Sequence, residues 1–316
     1  MSPGYSPWIG AERYPDPAFE TLHPSFEKYR LDAAAVERLY TGARWGEGPV
    51  WIGDGRCLLW SDIPNDRVLR WHETTETVDV YRSPSGFANG QTRDRRGRIV
   101  YCEQLGRRVM RIEHDGALTV LADRFAGKRL NSPNDVVVKA DGSIWFTDPP
   151  YGILGYYEGE RADAELGTFV YRIDGATGEI TVVVDSLDRP NGLAFSPDEK
   201  LLYIAETGTW PRVIHVFDVV NDGRALARAR AFIRCGEGER PDGFRVDVDG
   251  NLWCGWGMGG AFDGVRIFDA SARPIGHIHL PERCANLCFG GRHRNRLFMA
   301  ASRSLYAVYV NTQGAA

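Results

Sequence analysis

Apolar and polar residues alternate along most of the chain in short runs, and the runs come in pairs joined by turn residues. NDVVVKADGSIWFTD (134–148), NGLAFSPDEKLLYIAE (191–206) and DGFRVDVDGNLWCG (242–255) each set a D-G or P-D-E-K turn between β-branched and aromatic stretches. That pattern predicts β-hairpins. Two further strand-like runs usually follow, as in RVLRW (67–71) with TVDVY (77–81), or FVYRI (169–173) with ITVVV (180–184). Each unit therefore reads as four antiparallel strands. The units open on a repeated phrase, a small residue or proline followed by a polar one: Glu47, Asn89, Asn134, Asn191, Asp242 and Asn286, at intervals of 42, 45, 57, 51 and 44 residues. This spacing is that of propeller blades, ~40–50 residues. The sixth unit has room for only three strands, 286–290, 296–301 and 304–310, and the unused run Val36–Thr41 can supply the fourth. Joining the chain's two ends in one blade closes the ring and removes its open edges. The pattern thus predicts an all-β, six-bladed β-propeller of four-stranded antiparallel blades over residues 36–316, its last blade closed by an N-terminal strand. A Pro-rich arm, residues 1–35, precedes it, with at most a short helical turn around Leu31–Val36.

Composition narrows the class. With 316 residues, 43% apolar and 11% aromatic, the chain can bury a large core, which excludes disorder as its main state. Its 36 glycines exceed the usual ~7% and sort into blade openings, hairpin turns and loops. A net charge of -4 gives no basic footprint for nucleic acid. No apolar run approaches the ~18 residues of a membrane span, and the N-terminus has neither the basic nor the apolar region of a signal peptide. A cytoplasmic protein with no nucleic-acid or membrane partner is expected, acting as a monomer or weak homodimer. Six cysteines in that setting read as reduced thiols. The C-x3-C of Cys284 and Cys288 lacks the second pair a zinc site needs. The basic run R-D-R-R-G-R (93–98) falls in a hairpin turn, and G-M-G-G (257–260) lacks the strand–helix context of a nucleotide loop.

The first strand of a propeller blade lines the central channel, so the six polar openings should face one mouth of it. Turn chemistry favours Asn and Asp at such places but does not require Glu. Oxygen ligands from several segments suit a hard cation, and Ca2+ takes 6–8 oxygens from carboxylates, amides and water. Glu47 and Asp242 would neutralise one divalent ion, with Asn134 and Asn191 adding neutral oxygens. Ca2+ fits this set best; Zn2+, Mn2+, Mg2+ and Fe2+ are the alternatives. No His or Cys occupies these positions, as a zinc-preferring site would want. The second strands end at the same face, which predicts a second polar ring of Asp62, Glu103, Asp148 and Glu206. Three long or Gly-rich connections, 149–167, 207–212 and 255–264, leave the hairpins there. Long loops in a compact domain are usually lids or binding elements. Tyr151, Tyr156, Trp210, Trp256 and Met258 are placed as walls of a small-molecule pocket.

The runs GEGPVW (46–51), SPND (132–135), RPNGLAFSPD (189–198) and RPDGFRVDVDGNLW (240–253) resemble the gluconolactonase family, whose relatives include regucalcin, the Drp-type lactonases and the diisopropyl fluorophosphatase-like enzymes. WSDIPNDRVLRW (60–71), FANGQTRD (87–94) and FTDPPYG (146–152) look most like its bacterial gluconolactonase branch. The resemblance spans roughly residues 36–310. It implies a six-bladed propeller with one catalytic divalent metal, held by Glu47, Asp242, Asn191 and Asn134, with Asp242 also as general base. It implies hydrolysis of a sugar lactone to its aldonic acid. Apart from the resemblance, Asn89, Glu103, Asp148 and Glu206, at the same mouth, are expected to join the aromatic walls as substrate contacts. Ser132 stands where the regucalcin branch carries an arginine, so the sugar contacts of that branch do not carry over. The alternatives are organophosphate or fluorophosphate hydrolysis at the same site, and a non-catalytic propeller that binds sugar, metal or protein.

Overall fold

Each repeat folds as its alternation dictates. The computed structural model describes residues 14–315, and six antiparallel sheets stand around a central channel. Blade 1 is built from Gly46–Ile52, Cys57–Asp62, Arg67–His72 and Val78–Arg82. Blade 2 comprises Ala88–Arg93, Ile99–Glu103, Arg108–Ile112 and Leu118–Ala122, and blade 3 comprises Val136–Val138, Ile144–Asp148, Phe169–Ile173 and Ile180–Val184. Blade 4 runs Pro190–Phe195, Leu201–Glu206, Val213–Val220 and Ala225–Arg234. Blade 5 runs Pro241–Val246, Leu252–Trp256, Gly264–Phe268 and Pro274–His279, and blade 6 runs Cys284–Gly290, Arg296–Ala301 and Ser304–Tyr309. Glu37–Thr41 pairs antiparallel with Ser304–Tyr309, Thr41 opposite Ser304, so the N-terminal strand closes the ring as expected.

Packing follows distance from the axis. Inner strands are covered on both faces, as in Cys284–Gly290, where every residue is buried. Outer strands expose theirs, as in Val78–Arg82. The cores therefore lie between blades rather than in one centre: Val100, Cys102, Phe146 and Tyr171 join blades 2 and 3, while Tyr203, Ile214, Phe244 and Trp256 join blades 4 and 5. All six cysteines are free and buried within this packing. Among the described residues no helix is long and apolar enough to cross a membrane.

The segment before the propeller carries structure that the sequence pattern does not announce. Phe19–Thr21 pairs with Pro274–His279 and makes blade 5 five-stranded. Pro24–Tyr29 follows as a 3-10 helix, burying Phe26 and Tyr29 against Trp253, with ring centroids 6.3 and 6.5 Å apart. Buried Asp16 accepts from Ala18 N and Val36 N, each at 2.8 Å, and so clasps both ends of the segment. At the expected helical turn, Ala34 N bonds Leu31 O at 3.0 Å, a single turn. The first thirteen residues of the arm lie outside the described residues.

The inner strands meet closely at the mouth. In blades 1, 2, 4, 5 and 6 the pairing with the second strand slips near the polar opening, as between Glu47 and Val50 or between Pro190 and Leu193. This bulge lets the opening residue leave the ladder and face the channel. Four of the six openings are followed by glycine, and two of these glycines have a separate cause: a Cβ on Gly90 would lie 2.5 Å from Asn134 O, and one on Gly192 would collide with the Asp242 carbonyl oxygen. These glycines let the inner strands approach one another, rather than making turns.

Candidate active site

The pocket at this mouth holds about 260 Å3, room for a monosaccharide-sized molecule. Glu47, Asn89, Asn134, Asn191 and Asp242 all line it, brought from blades 1 to 5 by the same repeat position. Asn286, from blade 6, lies behind: buried, it hydrogen-bonds the Glu47 carboxylate instead. Glu47 Oε2 also accepts from Gly48 N at 3.1 Å. Burial raises the Glu47 carboxyl well above its ordinary value, and the charges of Asp242 and Asp135 raise it further. Burial likewise raises Asp242, while Arg283, 2.5 Å from its Oδ2, and the Asn191 amide oppose the shift. Two carboxylates are thus kept out of water and close enough to repel one another, with two amides beside them.

Asp135 sits below this pair, buried in the channel wall, with its Oδ2 3.5 Å from Arg245 Nη1. Tyr151, in a short 3-10 turn of the 149–167 connection, joins the wall, its hydroxyl 2.5 Å from Thr207 Oγ1. The same connection crosses the mouth, where Tyr157 donates to Arg44 O at 3.3 Å. It also delivers half-buried Glu158 to the pocket, where burial and the Asp242 charge push its carboxyl up to about 7.

The remaining expected contacts lie elsewhere. Glu103, Asp148 and Glu206 do not line the pocket, because the second strands end one layer further from the axis. The carboxylates of Asp148 and Glu206, with that of Asp62, turn back to fasten the connections that lead into the inner strands, while that of Glu103 bonds Arg108. Asp62 accepts from Arg44 N at 2.9 Å, Asp148 from Asn131 N at 2.8 Å and Glu206 from Asp188 N at 2.8 Å. In each case the donor stands three residues before the polar opening. Three of the four acids also hold a basic partner: Arg67 at 2.8 Å from Asp62, Arg108 at 2.7 Å from Glu103 and His215 at 2.7 Å from Glu206. Trp256 is fully buried against Phe268 in the core between blades 4 and 5. Tyr156, Trp210 and Met258 are exposed at the surface and do not line the pocket.

Trp45, Arg189, Arg212, Arg240 and Arg283 line the pocket without having been singled out in the sequence. A signal for three of them exists. Trp45, Arg189 and Arg240 each stand two residues before an opening, Glu47, Asn191 and Asp242, just ahead of the inner strand. A larger cavity of about 730 Å3 opens at the opposite end of the channel, lined by hairpin-turn residues such as Arg93, Arg95 and Ser196. It contains none of the polar openings.

The arrangement defines a class: a six-bladed propeller whose channel mouth concentrates carboxylate and amide oxygens over a small pocket, the architecture of a hydrolytic rather than a scaffold propeller. Residues 45–303 match the SMP-30/Gluconolactonase/LRE-like region, and the chain belongs to this family. It is 30% identical to the gluconolactonase of Zymomonas mobilis over 90% of this chain and 85% of that protein. It is 27% identical to the pentonolactonase XacC of Haloferax volcanii, over 83% of each. The solved structure of a gluconolactonase from Xanthomonas campestris superposes with a TM-score of 0.86 at 38% identity, covering 98% of this chain and 99% of that one.

Proposed function

We propose that the protein is a divalent-metal-dependent hydrolase that opens sugar lactones to aldonic acids. The observation that carries this reading is the convergence of Glu47 and Asp242 with Asn134 and Asn191 in one buried pocket. The similarity to a gluconolactonase and a pentonolactonase supports it.

The residues fit a hard cation. Among the described residues no three His, Cys, Asp or Glu side chains gather as a metal cluster; the set here is two carboxylates with two amides. Both carboxylates are raised by burial and by neighbouring negative charge, which is the state of acids that want a cation between them. Glu47, Asp242, Asn134 and Asn191 would hold it, with Ca2+ the best match to oxygen-only ligands. When bound, the cation supplies polarisation of the lactone carbonyl and charge stabilisation for the oxyanion.

Asp242 supplies the base. One oxygen of its carboxylate would hold the cation and the other take the proton of an attacking water, with the Arg283 hydrogen bond orienting the group. The water oxygen bonds to the carbonyl carbon, the bond from that carbon to the ring oxygen breaks, and the departing oxygen takes up a proton as a hydroxyl. Glu158, whose carboxyl burial pushes up to about 7, lies over the same pocket and can exchange a second proton there near neutral pH. Tyr151 and Trp45 wall the sugar and limit access of bulk water.

Proton release from a lactone panel (glucono, galactono, xylono and arabinono) tests this, using protein stripped of metal and restored with Ca2+, Mn2+, Zn2+, Mg2+ or Fe2+. Turnover should depend on metal. Asp242→Asn should lose about 10^2- to 10^4-fold in kcat, the range for a positioned base. Equal hydrolysis by stripped and restored protein would remove the metal from the mechanism, and near-normal kcat in loaded Asp242→Asn would remove the base.

A further inference from the structure

The pocket holds more cationic side chains than its own acids use. Four guanidinium groups line it, Arg189 and Arg212 of blade 4, Arg240 ahead of blade 5 and Arg283 ahead of blade 6, against three carboxylates. Arg283 is committed to Asp242. Among the described residues the one carboxylate within 4 Å of Arg189 is that of Asp188, 3.9 Å away, and both are well exposed. Among the described residues no carboxylate lies within 4 Å of Arg212 or Arg240. Arg212 places its guanidinium 5.5 Å over the exposed Trp210 ring. Burial, with the charges of Arg240 and Arg283, lowers its pKa below the usual arginine value.

Several more deeply covered arginines of this protein are paired, Arg98 with Asp94 and Glu113, Arg172 with Asp174, Arg296 with Glu37, whereas half-buried Arg82 and Arg266 have no carboxylate within 4 Å among the described residues but do not line this pocket. Like charges held close together and partly out of water oppose folding unless an anion joins them. They also stand where a substrate would pass. Arg240 is two residues before Asp242 and lines the same pocket, and Arg212 follows the Thr207 that anchors Tyr151. A neutral aldonolactone leaves both guanidinium groups without a partner.

We propose, resting on the lactonase reading, that the preferred lactone carries an anionic group of its own, a carboxylate or a phosphate remote from the ring ester, bound by Arg212 and Arg240. The ring ester lies over Glu47 and Asp242 while the remote anion points to blades 4 and 5, where two planar guanidinium groups can each offer paired N–H donors.

The test compares lactones matched in ring and differing in that group, on metal-loaded protein: galactono- against galactaro-1,4-lactone for the carboxylate, and glucono- against 6-phosphoglucono-1,5-lactone for the phosphate. The acidic member of at least one pair should be preferred about tenfold or more in kcat/KM, and that pair identifies the anion. Arg212→Met and Arg240→Met should each lower kcat/KM for the acidic lactone about 10- to 100-fold, the worth of hydrogen bonds to a charged group, while barely changing the neutral one. Arg240→Lys should recover part of the loss. Equal losses on neutral and acidic lactones would overturn the proposal, since the arginines would then serve an oxyanion common to both. If no lactone turns over, the lactonase reading fails on its own, and calorimetry still decides the anion site. Wild type should bind galactarate more tightly than galactonate, and Arg212→Met should lose that difference; equal binding overturns it.

Discussion

Asp148 should make the stability of this protein depend on pH, and Asp148→Asn should abolish that dependence. Of the four acids at the ends of the second strands, Asp148 alone lacks a basic partner within 4 Å among the described residues: Asp62 has Arg67, Glu103 has Arg108 and Glu206 has His215. It accepts from Asn131 N through Oδ2, while buried Oδ1 has no hydrogen-bond partner. Burial therefore raises its carboxyl from 3.8 to about 7, against weaker opposition from backbone N–H groups and distant Arg107. The folded-state value lies above the unfolded one, so the folded state binds the proton more tightly. The associated stability is complete below pH 3.8 and is lost as pH rises through 7. A carboxyl raised that far corresponds to about 4 kcal/mol in full, at 1.36 kcal/mol per pH unit, and about 3 kcal/mol of the loss falls between pH 5 and pH 9. Asparagine has the shape of the neutral acid and keeps the acceptor for Asn131 N. In urea unfolding at pH 5, 7 and 9, the gap between Asp148→Asn and wild type should widen in favour of the variant by roughly 2–3 kcal/mol. Taking the difference removes the titration of Glu47 and Asp242, which both proteins share. A gap that stays constant from pH 5 to pH 9 would refute the argument and show that Asp148 ionises freely. Lactone turnover per folded molecule should be unchanged, because the side chain does not reach the pocket.

Two further substitutions examine how the ring is assembled. Gly192→Ala forces a methyl against the Asp242 carbonyl oxygen across the boundary between blades 4 and 5, and should cost about 1–3 kcal/mol; a melting temperature equal to wild type would show that the blades do not meet as described. Phe26→Ala removes a fully buried ring packed on Trp253 and on the backbone of Gly276. It should cost about 3–5 kcal/mol, seen as a lower urea midpoint. A loss below about 1 kcal/mol, the usual range for surface changes, would mean the N-terminal segment adds nothing to blade 5.

How far the sequence could be read depended on whether a feature repeats. The hairpins, the four-strand unit and closure by Glu37–Thr41 were legible because alternation and turn residues recur at blade spacing. The fifth strand of blade 5 was not. Phe19–Thr21 is three residues long, too short to alternate, and its pairing comes from the exposed edge of Pro274–His279 rather than from its own pattern. The polar openings were legible for the same reason as the blades, and five of the six face one pocket. Asn286 departs because it bonds Glu47 rather than facing the pocket, a direction that one-dimensional spacing does not carry.

The acids at the ends of the second strands show where such reading loses its hold. A residue at a strand end can point to the axis or fold back on the incoming connection, and the choice depends on which N–H groups that connection leaves unpaired. Here Arg44, Asn131 and Asp188 present theirs, and acids in blades 1, 3 and 4 answer them. An orphan backbone donor inside a ring of blades has to be satisfied, so these carboxylates hold the openings in place and leave the chemistry to Glu47 and Asp242. Two of the four arginines, Arg189 and Arg240, do carry a spacing signal, while Arg212 and Arg283 sit in connections that no repeat marks. Counting two residues back from Glu47, Asn191 and Asp242 gives Trp45, Arg189 and Arg240, all in the pocket wall. The same count from Asn89 and Asn134 gives Phe87 and Ser132, which stay out of it. The repeat therefore specifies where a wall residue can stand, and the pocket's charge comes from the blades that place arginine there. The wall is aromatic at blade 1 and basic at blades 4 and 5. A substrate that is neutral at one end and anionic at the other would match that asymmetry, with its sugar ring against Trp45 and its charge against Arg212 and Arg240.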